Sequence, residues 1–172
     1  MMRAARNAEE RNQAREETAS TAATEGTRIV PFELFKRVLG IELKRSPRYG
    51  FPLSILLASL DRALVNGDRD LLASAARSAI RDIDIPVAFG ESDVLVVMPH
   101  TDLDGARLVA ERIRKRVRAS GAGRGGGGTT ASIGLVAAGG GQRLTFATLL
   151  AQATRAQRQA ARAGGDRIVA GG

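Results

Sequence analysis

The chain has 172 residues, enough for one domain with its own core, and carries a formal net charge of +8 with a pI near 11.2. It has no cysteine, which excludes disulfides and thiolate metal sites, and its one histidine, His100, has no second imidazole to share a metal. No apolar run approaches the ~18–20 residues that span a bilayer, and the charged N-terminus lacks a signal-peptide core, so the composition points to a cytoplasmic protein with anionic partners.

Residues 1–27 contain no Val, Ile, Leu or aromatic residue and have nothing with which to form a core. They read as a solvated tail, disordered or transiently helical over Met1 to Glu17; a partner-binding helix is the alternative. The folded domain is expected over residues 28–172. Phe35, Val38, Leu39 and Leu43 recur at helical spacing, in a helix expected to end before Pro47. Leu53 to Leu60 is a nearly continuous apolar run, read as a central strand. Leu71, Leu72, Ala75, Ala76 and Ile80 give a second helix. Ile85, Val87 and Phe89, the polar Gly90-Glu91-Ser92-Asp93, then Val94 to Met98 read as a hairpin around a tight turn. Leu103 to Val117 gives a third helix and Gly121 to Gly128 a flexible loop. Thr130 to Ala137 reads as a strand, Phe146 to Ala163 as an Ala-rich helix, and Arg167 to Ala170 as a last short strand. Helices alternating with a hairpin-containing set of strands predict an α/β sandwich whose five-stranded sheet is mixed and mainly antiparallel.

Four segments in this order carry a resemblance. They are Arg48-Tyr49-Gly50 with Pro52-Leu53, the hairpin Ala88-Phe89-Gly90-Glu91-Ser92-Asp93-Val94, Ala110-Glu111-Arg112-Ile113-Arg114, and Thr130-Ala131-Ser132-Ile133-Gly134. Together they resemble the GGDEF domain of diguanylate cyclases, which has R-x-G-x-P-L, R-Y-G-G-D-E-F, A-E-R-I-R and T-x-S-x-G at these places. Such enzymes make cyclic di-GMP from two GTP, and their helix and strand order matches the one predicted.

The resemblance implies a degenerate active site. Joining two triphosphates by in-line attack needs Mg²⁺ held by hard carboxylate oxygens. The family's D-x-D-x-F-K appears as Ser59-Leu60-Asp61-Arg62-Ala63-Leu64, so the first Asp has become Ser59. In the hairpin motif Gly90 remains, the second Gly is Glu91, the Asp is Ser92, and Asp93 replaces the Glu. The loop that reads guanine is cut so that Gly67-Asp68 follows Asp61 after a step of six residues, and the family's A-K-x-x-G-R-N-R becomes Ala160-Ala161-Arg162-Ala163-Gly164-Gly165-Asp166-Arg167. No catalytic residue and no bound metal or other cofactor are expected.

A second site is kept. Asp84 stands six residues before Gly90 and Arg81 three before that, the family's spacing for its RxxD product-binding site. The family completes this site with an Arg eighteen residues beyond its hairpin motif, and counting from Val94 gives Arg112. Arg offers a planar fork to the O6/N7 edge of guanine, Asp accepts from its N1–H and N2–H₂, and a second Arg adds a cation for phosphate. The alternative is a local i,i+3 pair at a helix end, with Arg112 on a solvated face. The basic end of the third helix, Arg112 to Arg118, reads as a solvated face rather than a nucleic-acid patch. Aromatics at 3% leave few platforms for single strands. The sequence therefore points to an inactive GGDEF domain that binds cyclic di-GMP, signals to a protein partner and dimerises with ligand; a ligand-independent interaction scaffold is the alternative, and a residual GTP-binding enzyme comes third.

Overall fold

In the computed structural model the described residues are 32–62, 68–89, 93–121, 128–139, 141–143 and 145–171. Helix α1 (Phe32–Tyr49) leads into β1 (Leu53–Leu60), followed by α2 (Asp68–Arg77) and the paired strands β2 (Ile85–Phe89) and β3 (Asp93–Pro99). Then come α3 (Leu103–Gly121), β4 (Ala131–Ala138), α4 (Phe146–Arg162) and β5 (Ile168–Gly171). The sheet order is β2-β3-β1-β4-β5, with only the β4–β5 pair parallel. This is the expected mixed, mainly antiparallel α/β sandwich.

Strand β1 is buried from Leu53 to Ser59 because helices cover both faces of the sheet. Leu56, Ala58, Val94, Val96, Ile133 and Leu135 pack under α2 and α3. On the other face Leu53, Ile55, Leu57, Leu95 and Val97 meet Phe35 and Leu39 of α1 and Leu149 and Ala153 of α4. Alternate residues of each strand thus serve opposite layers, as a period of two requires. Helix α4 starts at Thr145, whose hydroxyl accepts from the Thr148 N–H at 3.1 Å, satisfying one of the unpaired donors of the first turn.

Several expected boundaries move. Helix α1 continues through Pro47 to Tyr49 instead of ending before it. Pro47 removes one backbone donor in the final turn, where little helix remains to be disrupted. The turn closes when Ser46 Oγ donates to the Phe51 carbonyl at 2.7 Å and Gly50 adopts φ 72°, a left-handed helix stop. Helix α2 stops at Arg77, so Ile80 belongs to the following turn, where it still packs on the core. Asp93 opens β3, opposite Phe89, rather than completing the hairpin turn. The expected tail 1–27, residues 28–31, turn residues Gly90, Glu91 and Ser92, and loop residues 122–127 lie outside the described residues.

Candidate functional site

Two ends of the sheet carry the chemistry. At the first, β1 delivers Ser59 between Asp93 of β3 and Ser132 of β4. Just beyond it, Asp61 acts as a hub. Its Oδ2 accepts from Thr130 Oγ1 at 2.7 Å and from the Asp166 N–H at 2.8 Å, and its Oδ1 accepts from Ser132 Oγ. Asp166, held at φ 46°, in turn receives Arg114 and Arg118, each at 2.8 Å. The Asp166 carboxylate is the main reason the Arg114 guanidinium is held even more firmly protonated than usual. Gly165 fits only because it is glycine: a Cβ there would lie 2.7 Å from the Asp61 carboxyl carbon, and its φ is 72°.

Among the described residues no group of three His, Asp or Glu side chains gathers at this end to hold a metal ion. Ser59 brings no charge, and both oxygens of Asp61 already accept from protein donors. The segment carrying Gly164 and Gly165 is folded onto Asp61, with no lysine or arginine side chain at positions 161 or 165 to clamp a triphosphate. Sequence reasoning did not single out Asp61 or Asp166 as partners. Retention of the second Asp of D-x-D was the available signal, but its partners stand up to 105 residues away.

At the opposite end, Arg81-Asp82-Ile83-Asp84 forms a turn closed on itself. The Asp84 N–H donates to the Arg81 carbonyl at 3.0 Å, and the Arg81 N–H donates to Asp84 Oδ2 at 2.9 Å. The alternative of a local side-chain ion pair is therefore not what forms: Asp84 is held by the backbone of Arg81. The Arg81 guanidinium is exposed, makes no hydrogen bond or ion pair among the described residues, and reaches Asp84 only through its field. Asp84 itself is 6% exposed, and its Oδ1 is buried without a partner. Burial pushes the Asp84 carboxyl above the usual carboxylate value, against the opposing effects of the Arg81 N–H and the Arg81 charge. Arg112 is exposed on α3, the helix that packs beside α2. The RxxD pair thus shares one turn, and its third expected member comes from the neighbouring helix.

A five-stranded mixed sheet of this order, with β2 and β3 paired at one edge and helices on both faces, defines an α/β sandwich domain. Residues 66–167 match the family described as diguanylate cyclase, GGDEF domain, and the chain belongs to it. It is 38% identical over 88 residues to the response regulator PleD of Caulobacter vibrioides, a stretch covering 45% of this chain and 19% of that protein. The chain therefore aligns with well under two thirds of this relative. Among solved structures, the coiled coil and GGDEF domain of DgcB from Caulobacter crescentus, in complex with c-di-GMP, is similar with a TM-score of 0.72 and 17% identity, over 98% of this chain and 97% of that one. The diguanylate cyclase SiaD of Pseudomonas aeruginosa, in complex with its activator SiaC, is similar with a TM-score of 0.68 and 24% identity, over 95% and 69% of the two chains. At such identities the structural likeness establishes the fold.

Proposed function

We propose that this GGDEF domain makes no cyclic di-GMP and serves as a receptor for it, through Arg81, Asp84 and Arg112. The observation that carries the reading is the buried, unpartnered Oδ1 of Asp84 in the same turn as Arg81, whose exposed guanidinium has no hydrogen bond or ion pair among the described residues. A buried carboxylate oxygen without a donor is costly in the free protein and is relieved by a ligand that brings N–H groups. Guanine brings two, N1–H and N2–H₂, on the edge next to the O6 acceptor that an arginine fork seeks. Arg112 supplies a further cation for phosphate or base. The DgcB domain was solved with c-di-GMP bound, which supports this ligand class. SiaD was solved with an activator protein, which supports a protein partner as the recipient of the signal. The setting for such a receptor is the cytoplasm.

Calorimetry with cyclic di-GMP tests the reading. Wild-type protein should bind, and Arg81→Ala should weaken binding by ~1–3 kcal/mol, roughly tenfold or more. A wild-type protein indifferent to the ligand at high micromolar concentration would instead favour the scaffold. Incubation with GTP and Mg²⁺ should yield no cyclic di-GMP by mass spectrometry. The double change Ser59→Asp with Ser92→Asp should yield none either, because Asp61 stays committed to Thr130, Ser132 and Asp166. Product above a no-protein control would overturn the inactive assignment. Two cyclic di-GMP molecules, each dianionic, would also offset repulsion between domains of net charge +8. Ligand should therefore shift the protein from monomer toward dimer in light scattering.

A further inference from the structure

A groove between α2 and α3 adjoins the RxxD turn, and the reading above assigns it no role. Asp70, Ser74 and Ser78 line it from α2 and Arg116 and Ser120 from α3, around a cavity of about 470 Å³. The sheet topology fixes how these residues run. Helix α2 descends from the Leu60 end of β1 to the start of β2, which lies parallel to β1; α3 climbs back from the end of β3. The two helices are therefore antiparallel. Ser78 lies three residues before Arg81, and Arg112 lies one helical turn before Arg116 on the same face. The groove consequently opens onto the Arg81 and Arg112 end, with Asp70 at the end farther from it.

Most of its polar side chains are uncommitted among the described residues. Arg116 is exposed, and neither its side chain nor that of Asp70, Ser74 or Ser120 has a hydrogen bond or ion pair among the described residues. Ser78 Oγ donates to the Ala75 carbonyl at 3.2 Å. One terminal nitrogen of Arg77, the neighbour of Ser78, is buried with no acceptor. Among the described residues, then, the groove presents the unpaired cation of Arg116 and the uncommitted hydroxyl of Ser74, with the Ser78 hydroxyl able to turn from the Ala75 carbonyl, the donor set of a phosphodiester site. Asp70 repels a second anion at the far end, which limits occupancy to one phosphate near Arg116.

We infer that this groove is a phosphate subsite continuous with the RxxD turn: Arg116, with Ser74 and Ser78, takes a phosphodiester of the nucleotide whose guanine lies at Arg81 and Asp84. The inference rests on the receptor reading and adds to it the α2–α3 groove as part of the ligand surface. Calorimetry with cyclic di-GMP on the full chain tests it. Arg116→Ala should weaken binding about tenfold or more, the loss of one charge-assisted hydrogen bond, and should flatten the dependence of affinity on salt. Arg116→Lys, which keeps the charge, should restore part of the affinity. Arg158→Ala, an equal charge loss on α4 across the sheet, should leave binding unchanged. If wild type binds and Arg116→Ala matches Arg158→Ala, the subsite is wrong and the receptor stands. If wild type does not bind, both are wrong.

Discussion

Alanine at position 134 is expected to destabilise the domain by more than about 3 kcal/mol, a large fraction of the ~5–15 kcal/mol by which domains are usually stable. Gly134 lies mid-strand in β4, between Leu57 of β1 and Val169 of β5. A Cβ there would sit 2.1 Å from the Ala153 carbonyl oxygen and 2.3 Å from the Gln157 nitrogen. Both are backbone atoms of α4, so no rotamer change relieves the clash; the helix must lift from the sheet. Ala153, Ala156 and Ala160, buried along the same helix, let the backbone come this close. Gly40 provides the contrast. It lies in α1 with nothing within 4 Å of an added Cβ, so Gly40→Ala should stabilise by ~0.5–1 kcal/mol through helix propensity. Urea unfolding of the two variants measures both signs. An unchanged midpoint for Gly134→Ala would mean that α4 does not rest on β4 as described.

Asp84→Asn should stabilise the free protein while abolishing most of its affinity for cyclic di-GMP. Because burial raises the Asp84 pKa in the folded state, the fold prefers the protonated carboxyl. The corresponding stability is present at low pH and is lost as pH rises through the raised native value. At neutral pH, where the unfolded chain has this carboxyl ionised, the buried, half-satisfied group is therefore a burden on the fold. Asparagine keeps an oxygen for the Arg81 N–H and removes the charge. Its thermal midpoint should exceed that of wild type at neutral pH, and the gap should close as pH falls into the ordinary carboxylate range. In binding the sign reverses: asparagine accepts less well from guanine N1–H and N2–H₂, and affinity should fall by roughly tenfold or more. A variant less stable than wild type at neutral pH, or one that binds equally well, would contradict the role given to this side chain.

The order of helices and strands was legible because each element announces itself over adjacent residues. The run Leu53 to Leu60 reads as a strand without reference to anything distant, and Leu103, Ala106, Ala110, Ile113 and Val117 mark a helix face by spacing alone. Boundaries were less legible where a local rule competes with tertiary closure. Pro47 signals a stop, yet the contact from Ser46 to Phe51 carries the helix past it. The RxxD turn was legible as spacing, but not its geometry: nothing in Arg81-Asp82-Ile83-Asp84 says that the backbone, rather than the guanidinium, would hold the aspartate. The Asp61 hub was illegible for a different reason. Its donors come from the start of β4 and the residue before it, and from the loop before β5, and only the closed sheet brings them together.

The fit of Gly165 against Asp61 also constrains the order in which this sequence can change. The family's motif places an arginine at this position, but here any side chain would start inside the Asp61 carboxylate, on a backbone at positive φ. Asp61 cannot withdraw first without releasing Thr130, Ser132 and the loop at Asp166, and with that loop Arg114 and Arg118. Either single step, a side chain at position 165 or the loss of Asp61, is therefore expected to pass through a less stable protein. A random-mutation search for an arginine at position 165 would meet this as a one-way gate, crossed only by simultaneous replacement of Asp61 and the Gly164–Arg167 loop.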